Sequence, residues 1–241
     1  MRAETRHQLK QDRFSKATIE AAEATVHWTS EHKTTLTVAI VVAVALVAAV
    51  LGGWYYVTQQ DEKASVAMTQ ALRTFDAPIR PAGMPAQADI TSFASLKERA
   101  AEAHKQFQGV ADNYPHTHAA QVARYFMGLS SEQLGDHAAA ERELNEVASS
   151  HDSNLSAVAK FALASVYRNT NRNKAAIELY QKLSEKPTDT VSKAVAQMEL
   201  ASTYVADGQP LEAKRIYEQV QKDNPALPAA QLASTKLQEI K

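Results

Sequence analysis

The sequence of 241 residues contains no cysteine. This absence excludes disulfide bonds, metal sites built on thiolates and a cysteine nucleophile. Glycine and proline are also scarce, with seven and eight residues. The remaining sequence is rich in Ala, Leu, Gln, Lys and Glu, which favour helix. Since no segment has a convincing strand pattern, we expect an all-α protein.

A strong charge of either sign is missing as well. The formal net charge is −1 and the isoelectric point is about 6.7. Such a balance provides no basic surface for the phosphate backbone of nucleic acid. We therefore expect no nucleic-acid partner.

Charged residues are absent from residue 34 to residue 60, and the middle of this stretch is almost entirely Val, Ala, Leu and Ile. A helix over residues 34–57 would be about 36 Å long, enough for a hydrocarbon core of about 30 Å. We therefore predict a single transmembrane helix over residues 34–57, preceded by a cytoplasmic tail over residues 1–33. A cleaved signal peptide is the alternative, but the charged region and the apolar run are both too long for one.

The flanks of this segment suggest its orientation. Trp28, Trp54, Tyr55 and Tyr56 are predicted anchors at the membrane interfaces. The tail carries six Lys or Arg residues, against three in the first 33 residues after the span. This bias favours a cytoplasmic N-terminus in the inner membrane and a periplasmic C-terminal domain, although a count over about 20 residues on each side is even.

Three segments that begin at Gln121, Ala157 and Ala194 share one pattern. Small residues recur at positions 8 and 20 of each segment, and a large apolar side chain recurs at position 24. The small residues are Gly128, Ala140, Ala164, Ala176, Ala201 and Ala213, and the large ones are Leu144, Tyr180 and Tyr217. The predicted turns are Gly135-Asp136, Asn171-Arg172 and Gly208-Gln209. These residues resemble the tetratricopeptide repeat, a helix-turn-helix unit of about 34 residues.

The resemblance implies a tetratricopeptide-like α-α superhelix over residues 58–241. Its predicted units are 121–154, 157–190 and 194–227, preceded by a degenerate unit at 61–115. We expect the membrane helix to continue into that first unit, whose second helix is predicted at 92–113 after a loop at 76–91. Residues 228–240 are predicted to form a capping helix with Leu232, Leu237 and Ile240 on its inner face.

The first helix of each predicted unit carries apolar residues at positions 2 and 5, on the concave face that such repeats use for partners. The predicted partner-binding groove consists of Val122, Tyr125, Leu129, Gln133, Val158, Phe161, Arg168, Asn169, Val195 and Met198. Alternatively, the chain's own first or last helix fills this groove. If the groove is open, replacing Phe161 with Ala should weaken partner capture without unfolding the domain.

No pattern in the sequence indicates catalysis. The sequence contains neither a Gly-x-Ser-x-Gly turn nor a phosphate-binding loop, and His116 and His118 have no convincing third metal ligand nearby. We expect no catalytic residue, no metal, no cofactor and no small-molecule substrate. The expected partners are other proteins, together with membrane lipid around the single helix.

The order of these features resembles the bacterial ancillary SecYEG translocon subunit family. The matching segments are His27-Trp28, His32-Lys33, Gly52-Gly53-Trp54-Tyr55-Tyr56 and Gln59-Gln60. The resemblance implies a non-enzymatic adaptor whose periplasmic domain links the translocon with secreted chains and chaperones. Phe107–Pro115 and Leu134-Gly135-Asp136 are also similar to envelope proteins of outer-membrane assembly or cell division, which leaves a structural scaffold as the alternative.

Overall fold

The computed structural model describes residues 33–85, 91–223, 225–226 and 228–240. The chain divides into two compact units, Met1–Thr58 and Gln59–Lys241. The predicted tail up to residue 32, including Trp28, lies outside the described residues. In the described ranges all regular secondary structure is helical, which confirms the all-α prediction. The helices are α1 Lys33–Phe75, α2 Leu96–Asn113, α3 His118–Leu134, α4 His137–Ala148, α5 Ser153–Asn169, α6 Asn173–Glu185, α7 Lys193–Ala206, α8 Pro210–Asp223 and α9 Pro228–Glu239.

The described part of the first unit is the beginning of α1. Its apolar side chains are exposed; Val44 and Val50, for example, are 62% and 69% exposed. Trp54, Tyr55 and Tyr56 are exposed near the end of the apolar run. Exposed apolar side chains over several turns are unfavourable in water and favourable in hydrocarbon. The helix is therefore long and apolar enough to span a membrane, and it continues to Phe75 as expected.

In the second unit, the end of α1 packs as the first helix of the stack. Met68 and Ala71 share a buried cluster with Phe107 of α2 and Ala123 of α3. The rings of Phe107 and Phe126 stack with centroids 5.1 Å apart. From α2 to α9, each helix packs against the next one along the chain. The second unit is thus a row of successive helix pairs with a continuous core.

Five helices of this unit begin after a capping side chain. The capping residues Ser95, Thr117, Asp136, Asp152 and Ser192 each accept a hydrogen bond from a backbone N–H of the helix that follows. Helix α2 begins at Leu96 rather than at the predicted residue 92, because Ser95 accepts from the N–H of Glu98 while Glu98 accepts from the N–H of Ala94. This reciprocal pairing resembles a capping box.

The predicted turn residues share one backbone conformation. Gly135, Asn171 and Gly208 occupy the same repeat position and have φ values of 82°, 58° and 74°. Glycine and asparagine tolerate this left-handed region better than other residues do. The turn chemistry therefore ends the first helix of each pair within one residue of the same repeat position.

Close packing within the pairs depends on the small residues at positions 8 and 20. Ala140, Ala164, Ala176, Ala201 and Ala213 are each fully buried. At Gly128, an added Cβ would lie 2.6 Å from Cγ of Leu144, which is closer than real side chains approach. The small residues thus allow the facing helices to touch.

The last helix, α9, packs against α8 and α7. Ala230 and Ala233 are buried there, and Leu237 and Ile240 pack against the same cluster. The prediction was wrong for Leu232, which is 51% exposed. Leu232 precedes Ala233 by one residue, so a rotation of about 100° on the helix turns it away from the inner face.

We expect replacement of Ala176 or Ala213 with Leu to destabilise the repeat domain by about 1–3 kcal/mol, because the larger side chain overpacks a fully buried position. Chemical denaturation of the full chain in detergent measures the change. Ala138→Leu is the matched control, since Ala138 is exposed on α4. Equal stability of the buried and exposed variants would contradict the assigned packing.

Candidate partner-binding groove

The predicted groove residues lie on α3, α5 and α7, the first helices of three successive pairs. The structure brings together those of the first two pairs. Val122, Tyr125 and Val158 are half-buried and pack around one cluster, formed by Val147, Ala148, Leu155 and Ala159. Since α3 and α5 also contact each other directly, these three predicted groove residues lie close together around one cluster.

The two aromatic groove residues also belong to the packing between helices. Tyr125 packs against a cluster that includes Leu144 of α4 and Leu163 of α5, and it meets its chain neighbour Phe126 edge to face at 5.3 Å. Burial raises the pKa of the Tyr125 hydroxyl. Phe161 meets Tyr180 edge to face at the same distance. Tyr180 is fully buried, which raises its pKa to about 12. Each groove ring therefore has one side in the core and one side facing outward.

The groove residues of α7 are placed differently. Met198 packs against the C-terminal cluster around Ala213 and Tyr217, separate from the cluster that holds Phe161. Val195 is 46% exposed and belongs to none of the core clusters of the described residues. Leu129 on α3 is half-buried. The apolar row is thus continuous over α3 and α5 and more open at α7.

The predicted polar residues bridge successive helices. Gln133 on α3 accepts a hydrogen bond from Arg99 of α2 at 3.3 Å. Asn169 on α5 donates to Glu132 of α3 at 2.8 Å. Arg168 on α5 forms an ion pair with Glu199 of α7. The bonds of Asn169 and Arg168 join the first helices of successive pairs, and the bond of Gln133 joins α3 to the preceding helix α2.

A second group of polar contacts connects the helix pairs near the predicted turns. Arg172 lies over the ring of Tyr167 at 4.4 Å and donates to Glu141 at 2.8 Å. The bond from Arg172 stabilises the carboxylate and lowers the pKa of Glu141. His104 and Ser131 both bond to Glu143. The bonds to Glu141 and Glu143 could not be predicted from the sequence, because each partner is at least 12 positions away.

Other concave features lie outside the groove. Three clefts of about 400, 740 and 440 Å³ lie in the second unit, and none of the ten predicted groove residues lines them. In the described part of the chain, no group of three or more His, Asp or Glu side chains is arranged to hold a metal ion. The predicted groove residues therefore lie outside these clefts, and the apolar ones on α3 and α5 are half-buried.

Comparison with known proteins agrees with this geometry. A family model described as a tetratricopeptide repeat-like domain matches residues 26–241. The chain belongs to this family. No curated protein matches the sequence.

Solved structures show the same fold. The nearly identical tetratricopeptide-like repeats assigned to a kinesin light chain of Podosopora anserina superpose with a TM-score of 0.55 at 18% sequence identity. A point variant of that protein gives a TM-score of 0.56 at 17% identity. Each match covers 73% of this chain and 84% of the other chain. At this identity the similarity concerns the fold alone.

Tetratricopeptide-like repeats form extended concave surfaces and generally mediate contacts between proteins. The family is a scaffold type rather than an enzyme family. The repeat domain is accordingly a module for protein–protein interaction.

Phe161 also takes part in the core packing, because its ring contacts the buried ring of Tyr180. We therefore expect Phe161→Ala to lower the free energy of unfolding by about 3 kcal/mol. This differs from the expectation drawn from the sequence, in which the domain keeps its stability. Val195→Ala is the control and should cost less than about 1 kcal/mol, since that side chain is largely exposed. Denaturant unfolding of both variants measures the difference, and similar small costs would show that Phe161 lies outside the core.

Proposed function

We propose that this tetratricopeptide-like protein is a membrane-anchored adaptor without catalytic activity. Its single apolar helix holds it in the inner membrane, with the tail in the cytoplasm and the repeat domain in the periplasm. The repeat domain binds protein partners through the groove on α3, α5 and α7. The partners are subunits of the protein-export translocon and periplasmic chaperones.

The observation that carries the binding role is the row of half-buried apolar side chains on α3 and α5. Val122, Tyr125, Val158 and Phe161 occupy two repeat positions in successive units. Because their inner sides are fixed by the core, a partner that covers their outer sides loses little conformational freedom of the groove. Such pre-organised apolar anchors favour binding of a helix or an extended segment.

The last helix of the chain reaches the predicted groove at its α7 end, where Met198 packs against the cluster that contains Ala233. Helix α9 packs against α8 and α7, and its buried residues belong to the C-terminal cluster. The end of α1 packs through Met68 and Ala71 into the cluster with α2 and α3. Val122 and Met198, at the two ends of the groove, pack against these clusters, whereas Tyr125, Val158 and Phe161 belong to neither. This placement supports a groove that is open in its central part.

The membrane location is supported by the exposed apolar run of α1 and by the excess of Lys and Arg in the tail. The named partners rest on the resemblance to the ancillary SecYEG translocon subunit family. A scaffold for another envelope complex has the same anchor and the same repeats, and it differs only in its partner.

The proposed orientation predicts that protease added to bacterial spheroplasts removes the repeat domain. Residues 1–33 should remain protected, because the tail faces the cytoplasm. An epitope at each end of the chain distinguishes the two fragments. Full protection of the C-terminal epitope until the membrane is permeabilised would place the domain on the cytoplasmic side.

The proposed partners can be identified by photo-crosslinking in intact membranes. A photoreactive residue at Val158 or Val195 should give adducts with translocon subunits or chaperones. The same residue at the exposed positions Glu178 and Glu218, on α6 and α8, is the matched control and should give few adducts. Adducts with other envelope proteins would support the scaffold instead, and adducts from the control positions alone would refute the groove.

A further inference from the structure

A second surface of the repeat domain is a cleft of about 740 Å³ between α5 and α6. One wall contains Ser153, Ser156, Ala157 and Lys160 of α5, and the other contains Leu179, Lys182, Leu183 and Lys186 at and beyond the end of α6. Both sets recur at intervals of three and four residues, so each set lies on one helix face. The two faces meet at the cleft, whose size is in the range of ligand-binding sites.

The cleft is positively charged although the chain as a whole is not. Lys160, Lys182 and Lys186 line it with a single acid, Glu185. Among the described residues, the lysines in ion pairs are Lys193, Lys214 and Lys236, so the three cleft lysines have no carboxylate partner there. Three lysines and one glutamate give the lining a net charge of +2, so the cleft is cationic.

Asp152, the acid in the turn before α5, forms hydrogen bonds with the start of that helix. Asp152 accepts hydrogen bonds from the N–H groups of Asn154 and Leu155, at 2.9 and 3.1 Å, and so caps α5. It lines the neighbouring cleft rather than this one. The lysines are thus available to an anionic group from another molecule.

The lining also contains apolar surface. Ala157 and Leu183 are buried in the wall, and Leu179 is half-buried. A small inorganic anion would use the lysines but leave this apolar surface and most of the volume unfilled. A peptide with acidic and apolar side chains matches both features, because carboxylates can reach the lysines while an apolar side chain covers the exposed part of Leu179.

We propose that the cleft between α5 and α6 binds an acidic peptide segment of a partner protein. This site goes beyond the proposed groove, since it uses another face of α5. The groove residues Val158 and Phe161 are absent from its lining. A protein that occupies both sites would contact α5 on two of its faces.

Fluorescence anisotropy tests the site with the full chain in detergent and a labelled peptide of three Glu-Glu-Leu repeats. The triple variant K160Q/K182Q/K186Q should bind the peptide about tenfold more weakly than the wild type at low salt. The matched control is K174Q/K214Q/K222Q, which removes three exposed lysines outside the cleft and should weaken binding less than about twofold. A Gln-Gln-Leu peptide should not bind.

A labelling experiment addresses the same site without removing lysines. Because the chain has no cysteine, Ser153→Cys gives a single attachment point for an environment-sensitive dye inside the cleft. Gln231→Cys on α9 is the control position, exposed and away from the lining. The acidic peptide should change the fluorescence at residue 153 and leave it unchanged at residue 231.

Several results would overturn the proposal. They are absence of peptide binding by the wild type, equal loss of affinity in the two triple variants, and displacement of the peptide by millimolar inorganic phosphate, which would indicate a site for small anions. Binding of vesicles rich in anionic lipid without binding of the peptide would indicate a membrane-contact surface. None of these results involves Val158 or Val195. If the cleft does not bind the peptide, the crosslinking test of the groove is therefore unaffected.

Discussion

The repeat domain depends on how closely the two helices of each pair approach each other. In the first complete pair, Gly128 leaves room for Leu144, which is fully buried against it. In the next two pairs, Ala164 shares a core cluster with Tyr180, and Ala201 shares one with Tyr217. A larger residue at position 8 or 20 would push the facing helix outward. The next pair would then lose its packing contacts with that helix. The small residues therefore control both the pairs and their stacking.

The surfaces proposed for binding are consequences of this stacking. When successive pairs pack against each other, the apolar residues of α3 and α5 lie in one row. Hydrogen bonds such as that from Asn169 to Glu132 fix the distance between the two helices. Packing within one pair brings α5 against α6 and leaves the lysine-lined cleft between them. Helix α5 therefore contributes to two surfaces of different chemistry, one apolar and one cationic. A stacked array can carry both because successive faces of a helix point in different directions.

Much of this architecture could be predicted because it rests on local patterns. The apolar run and the recurring small residues and turns determined the helix order, and Gly135, Asn171 and Gly208 have the backbone conformation that their chemistry favours. Contacts between distant residues could not be predicted, since Asn169 and Glu132 are 37 positions apart. Nor does a repeat pattern tell how deeply a side chain at a groove position is packed. Phe161 has the size and polarity of a partner anchor, yet its contact with Tyr180 is visible only in three dimensions.

The central claim is that the close approach of α3 and α4 depends on the absence of a side chain at Gly128. A double-mutant cycle with Leu144 tests this claim most directly. The free energy of unfolding is measured for the full chain in detergent, for Gly128→Ala, for Leu144→Ala and for the double variant. We expect Gly128→Ala to cost about 1–3 kcal/mol in the wild-type background, since the new methyl group meets Leu144. With Ala at residue 144, the same change should be neutral or stabilising by up to about 1 kcal/mol, because alanine favours helix over glycine. Equal costs in both backgrounds would contradict the claim.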